Sequence, residues 1–293
     1  MANNYKKRNG DRADGRRIRT LSGFSNFIPY IMSQRNDALN LYEASFEVDN
    51  ADHWLREQRK NGYKGIGFLH LIIAAYIRCI AARPALNRFV VGRRIFARNS
   101  IEIVMAVKRN LSIDTDETMI KVEFEPTDTV FDVYRKMNKA IEDVKTSDDS
   151  DDVAAFADKF AKLPRFVIRF VVWIIKILDY FGWLPKKLLK ISPFHGSMII
   201  TDLGSLGIGP VYHHIYNFGS LPVFIAFGAK RTAYELDQFG TVHKNKYVDA
   251  KFTIDERTFD GHYCASIFKL FNQYINDPSL LEVPPEVVVE DIF

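Results

Sequence analysis

The stretch Lys251-Phe252-Thr253-Ile254-Asp255-Glu256-Arg257-Thr258-Phe259-Asp260-Gly261-His262 constrains the fold of this chain more than any other. From Lys251 to Asp255 the side chains alternate as in a half-buried strand, and Gly261 permits a sharp turn. Beyond it Tyr263, Ile267, Leu270, Phe271 and Tyr274 recur on one face of a helix that Pro278 ends. The stretch therefore reads as strand, corner and helix, and the corner gathers Asp255, Glu256, Arg257, Asp260 and His262.

The rest of the chain alternates strands and helices without a regular βαβ order. Residues 23 to 36 suggest a helix interrupted near Pro29, and Tyr42, Ala44, Phe46 and Val48 alternate with polar residues as a half-buried strand. A short amphipathic helix near 52–60 precedes the run Ile66 to Ala82, which is apolar all round except His70 and Arg78 and reads as a buried helix. Its window free of full charges spans 13 residues, against the ~20 needed to cross a bilayer. Strands follow at Phe89 to Val91, Arg94 to Ala97, Ile101 to Val107 and Met119 to Phe124, then a helix capped by Thr127 with Val130, Phe131, Tyr134, Met137, Ile141 and Val144 on one stripe. After an acidic loop at residues 147–152, strands are expected at Ser197 to Thr201 and Val223 to Phe227, with a hairpin of Ala233 to Phe239 and His243 to Ile254. Val283 to Phe293 should run extended along the chain's own surface or along a neighbouring subunit. This order excludes a doubly wound parallel sheet and fits a mixed sheet with helices on one face.

With 293 residues and 47% hydrophobic composition, the chain can bury a substantial core. The formal charge of +4 comes from the first 20 residues, whose seven cations and two acids give that segment +5. Only Tyr5 accompanies those cations, so a solvated arm is expected over residues 1–20 and no nucleic acid partner. Residues 21–293 then form one domain. Cys79 and Cys264 stand apart, giving neither a disulfide framework nor a metal pattern, and a cytoplasmic protein is expected.

The corner Asp255-Glu256-Arg257-Thr258-Phe259-Asp260-Gly261 resembles the DHRxxDG signature of the chloramphenicol acetyltransferase superfamily, and more closely the catalytic domain of the dihydrolipoyl acyltransferases of 2-oxoacid dehydrogenase complexes. A second block agrees in order and separation. Thr201-Asp202-Leu203-Gly204-Ser205-Leu206-Gly207 with Leu221 to Gly228 is similar to that family's TISNLG segment and the apolar strand after it. Weaker similarity runs back to about Arg16. The resemblance implies an α+β fold, a two-layer sandwich with a mixed sheet, assembled as a homotrimer with active sites between subunits. It implies no covalent cofactor, a coenzyme A thioester as substrate, and small-molecule acyl donor and acceptor. Without the family's lipoyl-bearing domain and linker, the chain is expected to be a stand-alone relative.

In the resembling enzymes the signature histidine takes a proton from the attacking thiol, and a hydroxyl of the TISNLG segment steadies the tetrahedral oxyanion. The resemblance places Thr201 at the hydroxyl position and Glu256 at the histidine's. Full transfer from a thiol of pKa ~8.5 costs roughly 2.7 kcal/mol to a histidine and roughly 5.7 to a glutamate, a gap that burial of a carboxylate can narrow. Glu256 is thus either a general base or an ion-pair partner of Arg257, Arg19 or another cation at the corner. By the same resemblance Asp260 pairs with an arginine near the N-terminus, Arg16, Arg17 or Arg19. His262, or the pair His213 and His214, could supply a base from another direction. The candidate catalytic set is Glu256, Asp260, Thr201 and His262, weighed against a catalytically silent binding or scaffold protein.

Residues 162–190 match nothing in the resembling family. Lys162, Arg165, Arg169 and Lys176 cluster on one side of a helix with Asp179 at its margin, and Phe166 to Leu178 otherwise fill a broad apolar face. Gly182 and Pro185 end it, and a second short helix carries Lys186, Lys187 and Lys190. Such a pattern serves a helix packed on its own domain or on another subunit, the working expectation, with a helix lying on the inner face of a membrane as the alternative. With the strand Val223 to Phe227 and the extended tail, this helix offers more apolar surface than one domain covers.

Overall fold

The computed structural model describes residues 5–108, 117–146 and 163–292; the acidic loop at 147–152 and Lys162 lie outside them. The main sheet has six strands. In chain order they are β2 (Leu39–Glu47), β5 (Ile101–Lys108), β6 (Glu117–Phe124), β7 (Met198–Asp202), β8 (Val223–Leu236) and β9 (Val242–Asp255), in the spatial order β2-β9-β8-β7-β5-β6. β7 runs parallel to both β5 and β8, and the remaining pairs are antiparallel, so the sheet is mixed. A smaller antiparallel sheet joins β1 (Gly15–Arg17), β4 (Arg94–Arg98) and β3 (Arg88–Val91). The chain is an α+β two-layer sandwich.

The period of two explains which face is covered. Ile103 and Met105, Met198 and Ile200, Val223 and Ile225, Phe252 and Ile254 point to one side, into the main core. There they meet the helices α2 (Asp49–Lys60), α3 (Phe68–Ala82), α4 (Val130–Thr146) and α7 (Gly261–Asn276). α3 sits in the centre, with 13 of its 15 residues buried, and its Tyr76 hydroxyl donates to the Ser197 carbonyl at 2.9 Å. Val104, Ile199 and Phe224 point to the opposite face, where Ile215 and Leu221 from the loop after β7 cover them. Three α-helices remain among the described residues: α1 (Gly23–Ile31), α5 (Arg165–Phe181) and α6 (Lys186–Ile191).

Several sequence expectations need correction. The hairpin strands are longer than alternation suggests, since β8 continues from Val223 through a register shift at Phe227/Lys230 to Leu236. Thr129, not Thr127, caps α4: its hydroxyl accepts from the Asp132 amide while the Asp132 carboxylate accepts from the Thr129 amide. The N-terminal segment is not a solvated arm, because β1 joins a sheet and Arg12 and Ile18 are buried. Val223 to Phe227 is likewise buried throughout, so the exposed apolar surface lies elsewhere. The tail, by contrast, follows the first of its two expected courses, along the surface of its own chain, where Arg88 pairs with Asp291 and Arg16 donates to the carbonyls of Asp291 and Ile292.

Candidate active site

β9 ends at Asp255, and the corner behind it is locked by charge. Asp255, 0% exposed, accepts from Arg35 Nε at 3.2 Å and from Arg257 Nε and Nη2 at 2.8 and 2.7 Å. Arg35 also donates to the carbonyls of Val90, Tyr216 and Gly219, and Arg257 to that of Met32, so nearly every donor finds an oxygen. A buried carboxylate with two guanidiniums is stable only with such full pairing. This network fixes the direction in which the next residue leaves the sheet. Sequence reading missed it, since Arg35 lies 220 residues from its partner.

Glu256 is half-buried and lines a cavity of about 670 Å³ between the outer edge strand β2 and α7. It pairs with neither cation proposed for it, because Arg257 is taken by Asp255 and Arg19 by Asp11. The ion-pair role is therefore absent among the described residues. Asp260 is exposed and lines the same cavity, but it holds no N-terminal arginine; its Oδ1 accepts from the Tyr263 amide at 2.8 Å and caps α7. Gly261 does not make the turn: its φ is not positive, and a Cβ there would meet nothing within 4 Å. Cys264, Phe268, Lys269 and Asn272 continue the cavity wall along α7. From Gly261 these recur at helical spacing, a signal the sequence carried. Burial pushes the Cys264 thiol up, which disfavours its thiolate.

The other candidates stand apart. His262 is exposed on α7 and does not line the cavity. His213 stacks on Phe224, ring centroids 4.3 Å apart, and burial pulls its imidazole down. Thr201 is half-buried in β7, and the adjoining Asp202, raised by burial, accepts from the Ser205 amide. Register measures the gap to Glu256. Thr201 pairs with Ala226, and Ala226 with Lys251, two strands over and five residues short of Glu256. At about 4.8 Å per strand and 3.3 Å per residue, the two sites on one chain are on the order of 20 Å apart.

The sheet order, the helical layer and the corner define a chloramphenicol acetyltransferase-like fold, as found in the acyltransferase cores of 2-oxoacid dehydrogenase complexes. The structure is similar to that of a probable dihydrolipoamide acetyltransferase from Listeria monocytogenes, at 12% identity over 89% of this chain and 94% of that one, with a TM-score of 0.56. It is similar to the cubic core of a pyruvate dehydrogenase multienzyme complex, at 13% identity over 88% of each chain and a TM-score of 0.57. The dihydrolipoamide acetyltransferase of Azotobacter vinelandii gives 12%, 88% of each chain and 0.56. At such identities the likeness is one of fold. No family model matches the sequence, and no curated protein matches it.

Proposed function

We propose that the protein is an acyltransferase that takes an acyl group from a thioester, coenzyme A being the donor, and that Glu256 is its general base. The observation that carries this reading is the Glu256 carboxylate, at the position of the signature histidine, lining a cavity of about 670 Å³ without a cationic partner. That volume lies within the usual range of ligand sites, about 300–1,000 Å³. Glu256 would take the proton of an acceptor thiol or hydroxyl as the acceptor attacks the thioester carbonyl. The tetrahedral oxyanion then collapses, the carbon–sulfur bond breaks, and the proton passes to the departing thiolate. Closing the cavity with a second subunit would remove water from the carboxylate, and desolvation makes a carboxylate a stronger base.

A hydroxyl on Thr201 can serve the oxyanion only from another subunit, given the separation of the two residues along one chain. The proposal therefore includes a homotrimer with Glu256 of one subunit facing Thr201 of the next. A second reading, a catalytically silent protein that binds acyl thioesters or scaffolds others, is favoured by one observation: no histidine lines the cavity. Incubation with a panel of acyl-coenzyme A donors and candidate acceptors, followed by release of free thiol, separates the two. Thiol release that depends on Glu256 supports transfer. A thermal shift without release supports a silent thioester binder, and neither response with any donor removes acyl transfer.

A further inference from the structure

α5 is apolar on two faces, and only one is used. Val167, Val171, Ile175 and Leu178 fall on one stripe and are partly covered, while Phe166, Phe170, Trp173, Tyr180 and Phe181 stand out at 49–74% exposure. Trp183, just beyond the helix, is 65% exposed. Arg165, Arg169 and Lys176 run along the edge of that aromatic face, all exposed, and Lys186, Lys187 and Lys190 of α6 continue the charge. None of these six cations makes an ion pair with a described carboxylate. The one acid between Leu163 and Ser192, Asp179, is buried and turned inward onto Arg12 and His195. The helix is thus not packed away on its own domain, and its exposed surface carries a single sign of charge.

The surface extends beyond α5. A recess of about 760 Å³ at the C-terminal end of the helix is lined by Phe181 and Trp183, by Tyr30 of α1, and by Lys7, Arg8 and Arg94. Among the described residues the only acid lining it, Asp11, pairs with Arg19. α1 carries its own exposed stripe of Phe24, Phe27 and Ile31, at 57–73%. A second copy related by a two-fold axis would set cations against cations here. An anionic layer that accepts aromatic side chains beside its phosphates matches both the charge and the apolar content.

We propose that this face, α5 with the adjoining recess and α1, docks on the surface of an anionic lipid bilayer. α5 lies in the plane of the interface, its aromatic side chains entering the headgroup and acyl boundary and its arginines and lysines resting on lipid phosphates. No described helix is long and apolar enough to cross a membrane, so the contact is peripheral.

Tryptophan emission reads the contact directly. Of the three tryptophans, Trp54 is buried and donates to Glu282, whereas Trp173 and Trp183 are exposed. Phosphatidylcholine vesicles containing phosphatidylserine should shift emission to the blue and carry the protein down in sedimentation, pure phosphatidylcholine should not, and added salt should weaken the effect. Arg169→Glu with Lys176→Glu should lower the partition coefficient at least about 25-fold, at roughly fivefold per lost basic residue. Both side chains are exposed, so the variant should keep its melting transition; if it does not fold, the salt titration of the wild-type protein carries the test. Emission and sedimentation unmoved by phosphatidylserine vesicles would overturn the proposal. So would equal binding to both vesicle types, or a Trp173→Ser variant that dissociates an assembly whose wild-type form ignores lipid, which would assign the face to contacts between copies.

Discussion

Glu256 and Asp255 are neighbours with opposite fates, and the difference lies in what surrounds each carboxylate. Asp255 is enclosed by two guanidiniums, so Asp255→Asn leaves Arg35 and Arg257 buried without their counter-charge and should cost about 3–5 kcal/mol in urea unfolding. Glu256 loses no ion pair on conversion to Gln, so its melting temperature should stay put while thiol release falls by about 10²-fold or more. A Gln variant fully active per folded molecule would contradict its role as base. Glu256→His restores the signature and should retain transfer to a thiol acceptor. The order of these residues along the chain was legible, because alternation to Asp255 and the helical repeat after Gly261 leave only the corner between them. Their partners were not. Nothing local distinguishes Arg35 from the other arginines, and Asp260 reads as a pairing acid until its Oδ1 is seen on the Tyr263 amide.

At the scale of elements, α5 hangs on one buried side chain. Asp179 Oδ1 accepts from Arg12 Nη2 at 2.7 Å and meets His195 Nε2 at 3.2 Å, while Arg12 also donates to the Asp179 carbonyl and pairs with Asp14. Burial opposes the charge on Asp179, but the hydrogen bond to His195 and the Arg12 guanidinium hold its carboxyl below the usual range. A carboxyl lowered on folding contributes stability above its unfolded value, about 3.9, and loses it as pH falls through the folded one. The hydrogen-exchange protection of α5, measured against the intrinsic rate at each pH, should therefore fall on acidification below about pH 4, before the main sheet opens. Asp179→Asn should bring the same loosening at neutral pH, at a cost of roughly 3 kcal/mol. Equal protection of α5 in the variant would place its anchor elsewhere. The helix itself was legible from its periodicity and from Gly182, which adopts φ +75° as its cap. Which of its faces is covered was not, because both are apolar and the covering residues come from distant segments.

At the scale of the molecule, alternation placed the strands and the apolar run placed α3, but assembly lies outside what one chain's pattern encodes. The separation of Thr201 from Glu256 turns that into a question about subunits, and complementation answers it. Glu256→Gln and Thr201→Val should each abolish thiol release alone. Mixed at equal amounts and reassembled, they should recover about a quarter of wild-type activity, the fraction of interfaces in a random trimer that pair an intact Glu256 with an intact Thr201. Recovery near that level is the result expected of a site shared between subunits, and mixtures no more active than the separate variants would contradict it.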